Sequence, residues 1–152
     1  MSQSKTVQKH NIEVKLSGRD ELRLLVESQD GQILKAQLQG IGCLPFLRLL
    51  AQYRPQLKGS MEQLAAPVGS GHGEMMLREA ILRLQGKWKL PYTEAELCHC
   101  RAVPTEKVDQ AILGGFHTVE SVGRETSAGT ACGTCRPDIE ALLKYRKGTE
   151  QA

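Results

Sequence analysis

The stretch 126-TSAGTACGTC-135 sets two cysteines two residues apart in a run of small residues, with Pro137 just beyond. A second pair, 98-CHC-100, lies upstream, and 31 residues separate Cys100 from Cys132. Each loop is too short to wrap a metal alone, so the intervening residues must fold to bring the pairs together. Four thiolates from two loops suit a single metal centre. Tetrahedral zinc takes four cysteines, and an iron–sulphur cluster needs the same soft anionic donors. Spacing alone does not choose between them. A disulfide framework and a redox dithiol are the other readings. No strand–helix–strand pattern surrounds 132-CGTC-135, which argues against a thioredoxin-like dithiol.

Compartment bears on the choice. Hydrophobic residues make up 40% of the 152, and no run reaches about 18 consecutive apolar residues, so no membrane-spanning helix is expected. The start, MSQSKTVQKHN, has no apolar run after its basic residues, unlike a secretory signal. The expected location is the cytoplasm. Thiols stay reduced there, and an odd count of five cysteines fits metal or redox chemistry better than stapling. A net charge of +3 and 4% aromatic residues argue against a nucleic-acid partner.

Charge and cysteines divide the chain. Residues 1–91 hold 13 Lys and Arg against 8 Asp and Glu, while residues 92–152 hold 7 against 9 and four of the five cysteines. The expected domains are therefore 1–91 and 92–152, joined within 86-GKWKLPY-92. The fold class is α+β: an N-terminal three-stranded antiparallel meander packed with helices, then a small all-α metal-binding domain of helix-turn-helix type.

The first strand is read from 12-IEVKL-16, where apolar and charged residues alternate. 17-SGRD-20 is a turn, Leu22, Leu24 and Val26 mark the second strand, and Asp30-Gly31 is a hairpin signal before the third, at Leu34, Ala36 and Leu38. A helix apolar on nearly all sides follows from Leu44 to Tyr53, with Pro45 in its first turn. Ser60 and Gln63 form a capping-box signature for a short helix. Residues 74–85 carry a helical stripe at Leu77, Ala80, Ile81 and Leu84, stopped by Gly86. In the second half, Thr93 and Glu96 read as a further capping box. Thr105 is the expected cap of a helix to Leu113, another covers about Val119 to Arg124, and a last one starts at Pro137 with Ile139, Leu142 and Leu143 inward.

The small residues of 126-TSAGTACGTC-135 let the backbone pass close to the sulphurs and aim N–H groups at them. Cys135 stands just before a helix N-terminus, which favours a thiolate. Arg101 and Arg136 each follow a ligand cysteine and offset negative charge. His99, between two cysteines, is a solvated neighbour rather than a ligand, and His117 is an ordinary surface residue.

From Leu97 to Leu143 the chain closely resembles the bacterioferritin-associated-ferredoxin-like (BFD-like) [2Fe–2S] domain, through 98-CHC-100, 103-VPTEKVDQAILGG-115, 118-TVESVGRETSAGT-130 and 132-CGTCRPDIEALL-143. The resemblance implies a small helical domain whose cluster is held by Cys98, Cys100, Cys132 and Cys135. Residues 11–88 more weakly resemble the scaffold domain of NifU-like proteins, through 17-SGRDELRLLVE-27, 40-GIGC-43 and 72-HGEMMLREAIL-82. That domain works with three cysteines, an aspartate and a histidine. Here Gly18 and Gly73 replace two of the cysteines, leaving Asp20, Cys43 and His72 as a vestigial site.

The implied function is a [2Fe–2S] protein of iron–sulphur cluster assembly or iron metabolism that passes single electrons to a protein partner. No residue set reads as catalytic, so the chain is expected not to be an enzyme. A homodimer is a possible form. The competing reading is a non-redox binding module whose four-cysteine site holds structural zinc.

Overall fold

A computed structural model describes residues 6–148; the N-terminal MSQSK and the end of the polar tail 144-KYRKGTEQA-152 lie outside the described residues. Two compact units form. One runs up to Pro67 and includes Met76–Trp88; the other joins Val68–Met75 to the chain from Lys89 onward. No helix is long and apolar enough to cross a membrane among the described residues.

The first unit is built on an antiparallel sheet in the order β1-β2-β3-β4. β1 (Gln8–Leu16) and β2 (Asp20–Gln29) join through a turn in which Gly18 takes φ +74°. β2 and β3 (Gln32–Ile41) join at Asp30 and Gly31, both at positive φ. That pair of left-handed residues matches the strand twist of a two-residue hairpin. Val14 pairs with Leu22 and Ile12 with Leu24, so the alternating residues share one face. Val14, Leu16, Leu22, Leu24, Val26 and Leu38 are buried on it. A fourth strand, β4 (Gly59–Ser60), adds to the expected three by pairing with Gln32 and Ile33.

α1 (Leu44–Tyr53) has Pro45 in its first turn, as the sequence indicates. Its apolar surface is one-sided in effect: Phe46, Leu50 and Tyr53 are buried, whereas Leu44 is exposed. Arg54 Nε donates to the Leu38 carbonyl at 2.8 Å, tying the end of this helix to β3. The Ser60–Gln63 signature yields only a single 3₁₀ turn, Met61–Gln63, without a side-chain cap. Gln85 explains the restraint, donating its amide to the carbonyls of Met61 and Leu64, both at 2.9 Å. α2 (His72–Leu84) buries Leu77, Ala80, Ile81 and Leu84.

The second unit contains α3 (Thr105–Leu113), α4 (Val119–Thr126) and α5 (Arg136–Lys147). It is not all-α. β5 (Glu96–Cys98) pairs with β6 (Val103–Pro104), so the Thr93–Glu96 capping signature does not start a helix. Three contacts hold that segment open. The Tyr92 hydroxyl donates to the Glu96 carbonyl, the Thr105 hydroxyl to the Glu94 carbonyl, and the Thr105 amide to the Ala95 carbonyl. Thr105 therefore braces β5, and Pro104 is the N-cap position of α3. The capping box that does form is Thr118 with Ser121, at the start of α4. The core joins Leu97, Val103, Val108, Ile112, Val122, Ile139, Leu142 and Leu143 to two of the cysteines, Cys98 and Cys135. Arg146, almost wholly buried on α5, clamps Asp109 of α3 through two bonds of 2.7 and 2.6 Å. Such a forked pair is costly to break from one side, because the remaining charge stays buried.

Gly42 sits where β3 leaves the sheet for α1. A Cβ there would overlap the Asp20 carboxylate and stand 2.9 Å from the Phe46 ring. Gly42→Ala is expected to lower stability by about 2 kcal/mol, which a thermal melt should show as a fall on the order of 10 °C. An unchanged melting temperature would mean that the carboxylate and ring move aside freely.

Candidate metal centre

The upstream cysteine pair lies on a hairpin. Cys98 ends β5 opposite Val103, and the chain reverses through residues 99–102, with Ala102 at φ +53°. Cys98 is 1% exposed; Cys100, on the turn, is open to solvent. The downstream pair follows α4. Ser127 terminates that helix in the left-handed conformation, and Gly129 and Gly133 follow at φ +75° and +74°. The Thr126 hydroxyl donates to the Val122 carbonyl and accepts from the Ala128 amide, fixing where the loop departs. Arg136 Nε donates to the Gly129 carbonyl at 3.2 Å and ties the loop to α5. Cys135, 7% exposed, is the N-cap residue of α5, while Cys132 is exposed.

These loops bring all four sulphurs together. Cys98 Sγ lies 3.6 Å from Cys100 Sγ, and Cys132 Sγ lies 3.4 Å from Cys100 Sγ. Cys98 and Cys135 are close enough for each thiol to influence the other's ionisation. No disulfide forms, and these gaps are well beyond the ~2.05 Å of a sulphur–sulphur bond. They are close to the ~3.8 Å that separates two thiolates on a tetrahedral metal with bonds of ~2.3 Å.

Backbone amides face the sulphurs, as the small-residue loop requires. The Gly129 amide serves both Cys98 and Cys135, and the Arg101 amide serves Cys98. The Thr134 hydroxyl and amide donate to Cys132, and the Cys132 amide to Cys100. These donors divide the thiols. Hydrogen bonds from Thr134 bring Cys132 down to about 7. Burial, reinforced by neighbouring Cys98, pushes Cys135 up to about 11. Burial also raises Cys98, but the Gly129 and Arg101 amides outweigh it and leave the thiol below its usual range. Without a metal the buried Cys135 is held as a neutral thiol, and a bound metal would hold it as thiolate. The four residues thus fit a thiolate-bound centre.

His99 is turned to Glu96, with Nδ1 2.7 Å from the carboxylate, and is largely exposed. His117 donates Nε2–H to the Ile112 carbonyl at the end of α3. It therefore has a structural contact that the surface reading did not include. Thr134 and Gly129 are the site residues the spacing did not single out, although both lie inside the small-residue loop that signals close backbone approach.

In the first unit, the structure brings Asp20 and Cys43 together. Asp20, at the start of β2 and 2% exposed, accepts the Cys43 amide at 3.0 Å, and its other oxygen is 4.0 Å from the Cys43 thiol. Gly18 and Gly73 supply no ligand. His72 opens α2, in the segment that groups with the second unit.

Comparison with known proteins agrees on the second unit. Residues 97–145 match the family model described as BFD-like [2Fe-2S] binding domain. Its cofactor is a [2Fe–2S] cluster, and all four cysteines lie within the match. The chain is 34% identical over 125 residues to the large subunit of nitrite reductase (NADH) from Escherichia coli K12; the match covers 80% of this chain and 13% of that protein. A stretch of that length reaches well in front of residue 97. A nitrate reductase from Klebsiella oxytoca is 38% identical over 47 residues, covering 31% of this chain and 5% of that protein. The chain thus corresponds to a small part of the length of either relative. No solved structure gives a significant match.

Gly129 meets two demands at once. Its φ is left-handed, and a Cβ would stand 3.1 Å from Arg136 Cγ and 3.3 Å from Ile139 Cδ1. At Gly133 the nearest such atom is 3.8 Å away, so only backbone strain opposes a side chain. Gly129→Ala should cost about 2–4 kcal/mol and Gly133→Ala about 1–2. Release of iron to a chelator, followed by loss of colour, should be markedly faster in the first variant than in the second.

Proposed function

We propose that this chain is an electron carrier: its second unit exchanges single electrons with a protein partner through a [2Fe–2S] cluster on Cys98, Cys100, Cys132 and Cys135. The observation that carries this reading is the half-open site. Two ligands lie in the apolar core and two at the surface, so the cofactor is both retained and reachable. When bound, the cluster supplies a one-electron store with little change in geometry.

The protein's part is to hold and tune. The Gly129, Arg101 and Thr134 amides direct positive dipole ends at the sulphurs, which favours the more negative, reduced state. Cys135 at the α5 N-terminus adds the helix dipole in the same sense. No nucleophile with an adjacent general base is assigned, and the role is transfer rather than catalysis. The two relatives are reductases by name, so a redox enzyme is the kind of partner this reading favours.

A role in iron–sulphur assembly is a second reading, supported by the Asp20–Cys43 contact at the end of the first sheet. A pair of this kind is a poor holder of a cluster, so the permanent centre stays with the second unit. Replacing Cys43 with Ser is expected to leave iron content unchanged.

Purification without oxygen should give a coloured protein with two irons and two sulfides per chain. One zinc per chain and no visible absorption would overturn the electron-carrier reading in favour of a structural site.

A further inference from the structure

On sequence alone Arg136 is a counter-charge that follows Cys135. In the structure its side chain lies along the downstream loop. Its amide donates to the Gly133 carbonyl at 3.2 Å, and its Nε to the Gly129 carbonyl, also at 3.2 Å. The aliphatic stem follows the same path. A Cβ on Gly133 would stand 3.8 Å from Arg136 Cδ, and one on Gly129 would stand 3.1 Å from Arg136 Cγ. One residue of α5 thus touches the loop on both sides of Cys132.

Gly129 is the loop residue that most needs fixing. Its amide faces the sulphurs of Cys98 and Cys135, and a Cβ on it would lie 3.8 Å from Cys135 Sγ. Yet glycine is the residue type whose backbone turns most freely. Its neighbour on the N-terminal side is held, because the Ala128 amide donates to the Thr126 hydroxyl at 3.1 Å. On the C-terminal side the tie is Arg136 Nε. The Thr130 hydroxyl, donating to the Ser127 carbonyl at 2.6 Å, braces the loop from within; Arg136 braces it against α5.

We propose that Arg136 is a positioning residue: its Nε–H bond to the Gly129 carbonyl fixes the backbone at Gly129, so that the Gly129 amide stays aimed at the Cys98 and Cys135 sulphurs. The bond, not the charge, is the working part. Arg136 is exposed, and water and salt weaken an exposed charge. A hydrogen bond of defined direction restrains a torsion instead. The inference rests on the electron-carrier reading in one respect, the potential. Amides aimed at the sulphurs favour the reduced state, so a loosened Gly129 lowers the midpoint potential.

Two variants of the full-length, cluster-loaded protein separate bond from charge. Arg136→Gln puts its amide nitrogen the same number of bonds from Cα as arginine Nε, so it keeps a donor and loses the charge. Arg136→Met has a similar reach and loses both. Loss of one hydrogen bond of ordinary strength corresponds to about fivefold in an equilibrium or rate. Release of iron to a chelator should be faster by about that factor in Arg136→Met and close to wild type in Arg136→Gln. The midpoint potential of Arg136→Met should lie below that of Arg136→Gln at equal iron content. Equal behaviour of the two variants, whether both altered or both like wild type, overturns the proposal and leaves the electron-carrier reading standing. A colourless zinc protein overturns the electron-carrier reading, and zinc release from the two variants then decides the positioning role by the same comparison.

Discussion

Four sulphurs must meet in a space a few ångströms wide although 31 residues separate the two motifs that supply them. The second unit is organised around that requirement. α3 and α4 fill the interval, and their inward residues Val108, Ile112 and Val122 form the core that Cys98 and Cys135 join. The candidate metal site and the core are thus the same object. A unit of this size buries a small apolar surface for its chain length. Metal binding to ligands that come together only on folding then contributes folding free energy directly. The buried Arg146–Asp109 fork braces α5 against α3 from the end of α5 remote from Cys135. Its geometry fixes the approach of the helix whose N-cap is Cys135.

The first unit uses a buried polar group in another way. Asp20 is nearly inaccessible, and a buried carboxylate must find donors or lose its charge. The Cys43 amide is one such donor, and Gly42 leaves the space for the approach. The same contact sets the point at which β3 gives way to α1, so a local charge requirement determines a turn in the fold. Asp20 and Cys43 therefore have a structural role that holds without any metal.

Much of this was legible in the sequence because it depends on local periodicity or on residue types with few other uses. Alternation marks Ile12 to Leu16 as a strand, Asp30-Gly31 is a hairpin turn, and four cysteines in two short motifs mark a centre. The failures share a cause. Thr93 and Glu96 have the spacing of a capping box, but Tyr92 and Thr105 take the backbone carbonyls of residues 94 and 96 and hold the segment extended. Ser60 and Gln63 are overruled by Gln85, 22 residues beyond Gln63. Contacts between distant positions override local preference, and single-sequence patterns do not register them. Within the site, the four candidate cysteines were legible but their division into buried and exposed residues was not, since it depends on which way each loop turns.

That division follows from two backbone choices. In a continuing strand, residues two apart face the same way, so Cys100 would point inward with Cys98. The turn at residues 99–102, with Ala102 in the left-handed region, breaks the alternation and carries Cys100 to the surface. In the downstream loop, Cys135 stands four residues before Ile139 and seven before Leu142, on the buried stripe of α5. Helical spacing therefore turns its sulphur inward. Cys132 precedes the left-handed Gly133, outside that periodicity, and is left exposed. One ligand of each motif is thus placed by regular structure and the other by a turn. The core can hold the cofactor with the first set while the surface reaches it through the second. A four-cysteine site built wholly on regular elements would be buried on all sides, and one built wholly on turns would have no core to keep its geometry when the charge changes.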